Sequence, residues 1–160
     1  MPRVGGVESA LMRAMGYVAA IVWCGLQLWG SAAAEDLDTL RPRVPEKALA
    51  AARSLKNPLP PTPAMIEKGR ALYQGKEFCV TCHGIEGHGL TDVNAALLKG
   101  ALPTDFTNAR WQAARTDGEL RWILQNGSVG TAMASFVPSV LTEKEAWQVI
   151  HYLRSLGRPR

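Results

Sequence analysis

The stretch Cys79-Val80-Thr81-Cys82-His83 decides how the rest of this 160-residue chain is interpreted. Two cysteines separated by two residues and followed at once by a histidine form the C-x-x-C-H pattern of covalent haem attachment. Sulfurs at positions i and i+3 lie on one side of a helical turn, which suits thioether bonds to the two vinyl groups of one porphyrin. The histidine can then ligate the iron from the proximal side. We therefore predict one c-type haem on Cys79 and Cys82, with His83 as its proximal ligand.

Two other kinds of site use closely spaced cysteines. A structural zinc ion needs four ligands, usually in two pairs, but the chain has no second cysteine pair, and only His88 and His151 could complete a set. A thioredoxin-like dithiol belongs in a βαβ setting, whereas no run of β-branched residues surrounds the motif. The remaining cysteine, Cys24, lies in an apolar segment, and we interpret it as a small hydrophobic residue.

The first 34 residues have the order of a secretory signal. Basic residues come first, an apolar run follows over residues 14–30, and four small residues complete the pattern. We expect cleavage after Ala34 and a periplasmic or otherwise extracytoplasmic mature protein. The alternative is an uncleaved membrane helix over residues 14–34, which is long enough to cross about 30 Å of hydrocarbon. Both interpretations place the rest of the chain outside the cytoplasm.

The charge of the chain excludes one large class of partner. It has 18 Lys and Arg against 14 Asp and Glu, a formal net charge of +4. The basic residues are scattered along the sequence, whereas a nucleic-acid-binding protein concentrates them on one face. We expect no nucleic-acid partner and interpret most of these charges as solvated surface.

Residues 35–61 form a proline-rich stretch before the main domain. Prolines remove backbone donors and fix φ, so they interrupt regular structure. Between them, the alanine-rich run from Glu46 to Lys56 predicts a short helix that follows Pro45. We interpret the stretch as a linker or N-terminal extension that lies along the surface of the domain. It either spaces the domain from a membrane or a partner or has no separate role.

Helical patterns predict a compact domain over residues 62–157. Thr62 and Pro63 suit the start of a first helix. Two capping boxes then mark later helices. The residues that carry these patterns are Met65, Ile66, Gly69, Leu72 and Tyr73 in the first helix, Thr116 and Glu119 with Leu120, Ile123 and Leu124 in the next, and Thr142 and Glu145 with Ala146, Val149, Ile150, Leu153 and Leu156 in the last.

The segments between these helices are predicted to be mostly loop. Glycines 84, 87 and 89 follow the motif, and we expect them to let the backbone pass close to the haem. Residues 94–99 predict a short helical turn, and residues 102–106 a loop. Since no stretch has the pattern of a strand, the predicted fold class is all-α, with about four helices and long loops around one covalently bound haem.

A loop before the last helix supplies a candidate for the second iron ligand. Met133 lies there among small residues rather than on a helix face. A thioether opposite the histidine gives His/Met ligation, which raises the reduction potential. The alternative is that Met133 is ordinary core filler. His88 and His151 are competing ligands, but His88 is too close along the chain to His83 to reach the other face easily, and His151 suits a solvent-facing or capping role.

With these parts in order, residues 62–157 resemble the class I c-type cytochromes. The resemblance implies that the first and last helices cross closely, with Gly69 against Tyr152 or Trp147. It also implies that a proline carbonyl orients the proximal histidine, and the best match for that proline is Pro103. Ala134 stands where a proline often follows the methionine in this family.

The resemblance further implies an electron carrier rather than an enzyme, since six-coordinate iron has no open position for a substrate. We expect a periplasmic protein that carries one electron between respiratory redox partners. One alternative is a cytochrome c subunit permanently docked in a membrane oxidoreductase complex, with membrane contact through the N-terminus. Another is a five-coordinate haem protein that binds a gas or acts on peroxide.

Overall fold

The computed structural model describes residues 40–75, 79–90 and 102–158. These residues contain six α-helices and no strand, which confirms the all-α fold class. The helices are α1 (Glu46–Ser54), α2 (Pro63–Gly75), α3 (Cys79–His83), α4 (Ala109–Ala114), α5 (Asp117–Asn126) and α6 (Glu143–Leu156). There are more helices than the expected four or so, because the connections around the motif include the short helices α3 and α4.

Side-chain caps set where the later helices begin. The Thr116 hydroxyl accepts the Glu119 N–H at 3.2 Å, and the Glu119 carboxylate accepts the Thr116 N–H at 2.8 Å. The same reciprocal pair of bonds joins Thr142 and Glu145 at the start of α6. Each box satisfies two backbone donors that a helix start otherwise leaves open. Both predicted capping boxes are therefore present.

Helix α4 was not predicted. Its N-cap is Asn108, whose side-chain oxygen accepts the N–H groups of Arg110 and Trp111. An asparagine in this position is a helix-start signal, but six residues are too few to show a helical apolar period. The helix forms because Trp111 buries its side chain in the core.

The crossing of α2 and α6 is the most extensive contact between two helices. Gly69 lies against the backbone of α6, and a Cβ added there would overlap the Gln148 carbonyl and come within 3.0 Å of the Tyr152 Cβ. The expected contact with Tyr152 is therefore present, whereas Trp147 is not among the nearest neighbours of Gly69. The main core surrounds this crossing, and Tyr73, Val149 and Ile150 are its largest fully buried apolar side chains.

Residues 40–61 lie against the domain and do not project from it. Helix α1 packs on α5, where Gly118 lets the α5 backbone approach the Ala52 carbonyl so closely that a Cβ would overlap it. A small second core forms between the two helices. Its members are Val44, Leu49 and Ala52, with Ala48, Trp122 and Ile123 packed against them. Through these side chains, α1 is docked on α5.

Hydrogen bonds hold the same segment at three further points. The Arg115 guanidinium donates to the Leu40 and Arg41 carbonyls at 2.9 and 2.6 Å. The Asn57 amide donates to the Trp147 carbonyl at 3.0 Å. The His151 Nε2–H donates to the Leu59 carbonyl at 2.9 Å.

Several sequence-based expectations lie outside the described residues. They are the signal or membrane segment over residues 1–34, the role of Cys24 and the helical turn over residues 94–99. None of the helices in the described ranges is both long enough and apolar enough to cross a membrane.

Candidate functional site

Helix α3 is the C-x-x-C-H motif itself, a single helical turn. Cys79 and Cys82 are both free thiols and both partly buried. Cys79 packs against the main core, and burial raises the pKa of its thiol. The structure therefore gives the two sulfurs the spacing on one helical turn that the sequence predicted.

The imidazole of His83 is oriented by a backbone carbonyl. Its Nδ1–H donates to the Thr104 carbonyl at 3.1 Å. Burial holds the pKa of His83 below its usual value, and the hydrogen bond to Thr104 acts in the opposite direction. A neutral imidazole with its proton held on Nδ1 keeps the Nε2 lone pair for a metal ion.

The carbonyl that orients His83 differs from the expected one by one residue. The family resemblance pointed to Pro103, but the Pro103 carbonyl is turned toward Gly89, where an added Cβ would lie 2.6 Å from its oxygen. Consecutive carbonyls in an extended segment point in different directions, so only one of the two can face the imidazole. The Thr104 carbonyl therefore accepts the hydrogen bond that the family resemblance assigned to Pro103.

The glycine-rich loop approaches protein segments of its own domain. Gly87 has φ of +79°, and a Cβ there would lie 2.6 Å from the Leu156 side chain and 3.5 Å from Phe106. Its carbonyl accepts the Phe106 N–H at 2.7 Å. Only glycine adopts this conformation readily and leaves room for the neighbours. In the described residues, Gly87 and Gly89 therefore lie close to residues 103–106 and to α6, whereas the approach of this loop to the haem stays a prediction.

Two side chains near the motif were not singled out by the sequence analysis. The Tyr73 hydroxyl donates to the Gly84 carbonyl at 2.6 Å, directly after His83. The Phe106 ring stacks on the His83 ring, with centroids 4.4 Å apart. The sequence predicts Phe106 only as part of a loop and Tyr73 only as part of the apolar face of the first helix. Nothing in their spacing along the chain indicates that they meet the motif.

Met133 lies in the segment between α5 and α6, and its side chain is partly buried against the main core. Its N–H donates to the Thr131 hydroxyl at 3.1 Å, and its carbonyl accepts the Ser128 N–H at 3.0 Å. The segment is tied to the end of α5, because the Phe136 N–H donates to the Leu124 carbonyl at 2.8 Å. The Met133 backbone is therefore fixed on the same core that Cys79 contacts.

The competing histidines are engaged elsewhere. His88 is exposed, 3.1 Å from the Thr107 hydroxyl and 3.8 Å from the Asp105 carboxylate. His151 is only 6% exposed, so the expected solvent-facing role is wrong, and its Nε2 is occupied by the Leu59 carbonyl. Both histidines therefore lie next to polar partners, and Met133 stays the predicted second ligand.

The donor set fits a c-type haem. The chain supplies two free thiols on one helical turn, a neutral imidazole held by its Nδ1, and a thioether on a fixed loop. These are the groups that attach and ligate such a cofactor. Among the residues that the structure describes, no group of three or more His, Cys, Asp and Glu side chains could hold a metal ion by itself.

Comparisons with known proteins agree with this donor set. The sequence model of a protein family described as Cytochrome c matches residues 66–157. Among solved structures, a chain of the Kuenenia stuttgartiensis reducing HAO-like protein complex Kustc0457/Kustc0458 is similar, with 30% sequence identity and a TM-score of 0.56. The match covers 66% of this chain and 50% of that chain. No curated protein matches the sequence significantly.

Proposed function

Since this chain belongs to the cytochrome c family, whose model matches residues 66–157, we propose that it shuttles single electrons between two redox proteins outside the cytoplasm. Membership means that it carries a covalently attached c-type haem and transfers electrons instead of converting a substrate. The donor, the acceptor and the compartment belong to the proposal. The observation that carries it is the α3 turn, with His83 held by the Thr104 carbonyl.

We assign the haem contacts to four side chains. Cys79 and Cys82 hold the porphyrin, His83 ligates the iron through Nε2, and Met133 is the ligand on the other side. When bound, the haem supplies a metal that gains and loses one electron with little rearrangement. The chain contains one C-x-x-C-H motif, so we propose one haem.

The remaining residues hold these ligands and exclude water. The Thr104 carbonyl keeps the proton on Nδ1 of His83 and so fixes which nitrogen faces the metal. Leu120 and Ala146 are buried in the core that Met133 and Cys79 contact. A dry, apolar surrounding of this kind disfavours the extra positive charge of ferric iron and helps to set the potential.

Three exposed apolar side chains support docking of a protein partner near the site. They are Ile85, Leu102 and Val129, with 62%, 60% and 86% of their surfaces exposed. Ile85 follows His83 closely, Leu102 precedes Thr104, and Val129 shares the loop of Met133. Single exposed apolar residues are common, but these three flank the three segments that form the site. A redox partner that covers these side chains would remove their apolar surface from water, which favours docking.

The second candidate function is a haem subunit of a larger redox assembly. The observation that favours it is the similarity to a chain from a complex with an HAO-like protein. Purification from membranes and soluble extract in low and high salt separates the two functions. A shuttle is released as a single chain at high salt, whereas a subunit stays with its larger partners.

The proposed compartment rests on the order of residues 1–34. Mass spectrometry of the protein exported by its host should show the loss of these residues and the mass of one added haem. Retention of residues 1–34 on a membrane-bound protein would favour an anchor, and an unmodified cytoplasmic chain would contradict the export proposal.

The experiment that tests the proposed function is a redox titration of the purified holoprotein, followed by absorption spectroscopy. We expect a one-electron transition, low-spin spectra in both oxidation states and slow, incomplete binding of carbon monoxide to the reduced form. Rapid and complete carbon monoxide binding would contradict His/Met ligation. It would favour a five-coordinate haem protein that binds a gas or acts on peroxide.

A further inference from the structure

The face of the His83 imidazole is covered by a second aromatic ring. The Phe106 ring lies 4.4 Å from it between centroids, at an interplanar angle of 24°. The two rings are therefore close to parallel and in face contact. Phe106 contacts the face of the His83 ring, whereas the Thr104 carbonyl binds Nδ1 at the edge of that ring.

Phe106 is itself held on several sides. Its N–H donates to the Gly87 carbonyl and its carbonyl accepts from the Gln112 amide, both at 2.7 Å. Its ring lies 5.3 Å from the Trp111 ring and 6.4 Å from the Tyr73 ring, between centroids. The residue is only 8% exposed. A ring fixed in this way can restrict the orientation of the imidazole that stacks on it.

The hydrogen bond to Thr104 alone leaves the rotation of the His83 imidazole about its terminal torsion poorly defined. The terminal torsion of a histidine side chain is broad and has no sharp staggered wells. A carbonyl oxygen accepts hydrogen bonds over a wide range of directions, so one bond at 3.1 Å tolerates tilting of the ring. A flat surface against the face of the imidazole removes that freedom.

We propose that Phe106 is a positioning residue, which sets the plane of the His83 imidazole through the stacked contact. The proposal rests on the proposed function, because it concerns the orientation of the proximal ligand. The Thr104 carbonyl selects the nitrogen that faces the metal, and Phe106 selects the rotation of the ring. Trp111 and Tyr73 contribute indirectly, because their rings pack against Phe106.

The test compares Phe106→Met with Phe106→Tyr in the haem-loaded protein. Methionine keeps an apolar side chain of similar volume and removes the flat face, whereas tyrosine keeps the ring. The readout is the proton NMR spectrum of the ferric protein, since the order and spread of the haem methyl resonances depend on the orientation of the axial imidazole plane. We expect Phe106→Met to change that order or spread or to produce two sets of resonances, and Phe106→Tyr to retain the wild-type pattern.

Leu153→Ala is the matched control for a general loss of core packing. Leu153 is buried in the same core and lies on α6. We expect this variant to unfold at lower urea concentration and to keep the wild-type methyl pattern. If Phe106→Met does not assemble, Trp111→Leu is the substitute, because it removes a ring that packs against Phe106. It should change the haem methyl pattern in the same way.

The two levels of the proposal fail in different ways. A wild-type protein without covalent haem or without low-spin ferric resonances would overturn the proposed function. A normal wild-type spectrum that stays unchanged in folded, haem-loaded Phe106→Met would overturn the role of Phe106 alone. If Phe106→Met does not assemble, an unchanged spectrum of Trp111→Leu would do the same. The same methyl shifts in Leu153→Ala as in Phe106→Met would also overturn it, because they would reflect packing in general.

Discussion

At the scale of single residues, Met133 makes the assignment of the second ligand testable. Replacing Met133 with Ala removes the thioether, so that the proposed second ligand position of the iron is filled by water or is empty. We expect the reduction potential to fall, because the soft sulfur favours ferrous iron, and carbon monoxide to bind the reduced protein rapidly. A redox titration and a carbon monoxide mixing experiment measure the two effects.

Met65→Ala is the control for this substitution. Met65 is also partly buried, but it lies on α2, where its sulfur is 3.6 Å from the Gln148 amide nitrogen. We expect some loss of stability and no change in potential or carbon monoxide binding. Equal spectra for wild type and Met133→Ala would show that the sulfur does not ligate the iron.

The residues of the site divide into those that a sequence can reveal and those that it cannot. Cys79, Cys82 and His83 belong to one helical turn, so their spacing alone predicts their arrangement. The roles of Thr104 and Phe106 depend on how a distant loop meets that turn. The choice between the Pro103 and Thr104 carbonyls depends on backbone direction, which side-chain identity does not determine.

At the scale of helices, the α2–α6 crossing depends on a position without a side chain. Gly69→Ala would place a methyl group into the Gln148 carbonyl of α6. Because backbone cannot move aside as a flexible side chain does, we expect the free energy of unfolding to fall by about 2–3 kcal/mol. Urea unfolding monitored by circular dichroism measures this loss.

Gly75→Ala is the matched control, since the same substitution at the end of the same helix meets no atom within 4 Å. Alanine has the better helix propensity, so we expect little change or a slight gain, of at most about 1 kcal/mol. Equal losses at Gly69 and Gly75 would contradict the steric explanation.

Helix α1 gives a second prediction at this scale. Gly118→Ala would push the start of α5 against the Ala52 carbonyl. We expect α1 to separate from α5, so that limited proteolysis cuts within residues 40–61 sooner while the reduction potential stays unchanged. Ala51→Ser changes an exposed position of α1 and should leave the cleavage rate nearly as in wild type. A potential that shifts with Gly118→Ala would mean that the extension influences the haem site.

The helices also show where sequence patterns stop being informative. Capping boxes predict α5 and α6 because both partners of each hydrogen bond lie within four residues of the chain. The docking of α1 depends on a distant glycine and on the carbonyls that Arg115 binds. The prolines of residues 40–61 are typical of a linker. The packing of this segment on α5 depends on residues that are distant in the sequence, so the sequence does not reveal it.

At the scale of the whole molecule, two ion pairs among the described residues connect the helices on either side of the Met133 segment, Arg121 with Glu143 and Asp117 with Arg154. Arg121 of α5 pairs with Glu143 of α6 and also donates to the Gln125 side chain. The Arg121 side chain is 6% exposed, whereas that of Glu143 is 61% exposed. The hydrogen bond from Arg121 is the main reason that the pKa of Glu143 lies below its ordinary value.

The sign of the pH dependence follows from this lowered pKa. A carboxyl group that binds its proton less tightly in the folded than in the unfolded protein stabilises the fold above its unfolded pKa. That stabilisation is lost as the pH falls through the lowered, folded-state pKa. Because Glu143 is largely exposed and its charge is screened by solvent, we expect a contribution of about 1 kcal/mol at pH 7.

Glu143→Gln should therefore reduce the urea midpoint at pH 7, and its difference from wild type should shrink as the pH is lowered below 4.5, the usual carboxyl value. Glu67→Gln is the matched control, because Glu67 pairs with Arg70 on one exposed helix face and joins no two helices. The hydrogen bond from Arg70 lowers the pKa of Glu67 in the same direction, but the pair is exposed to solvent and lies within one helix, so the midpoint of Glu67→Gln should differ from wild type by much less than that of Glu143→Gln. A deficit of Glu143→Gln that stays constant in acid would mean that the variant loses packing or shape, and that the charge of Glu143 does not hold α5 and α6 together.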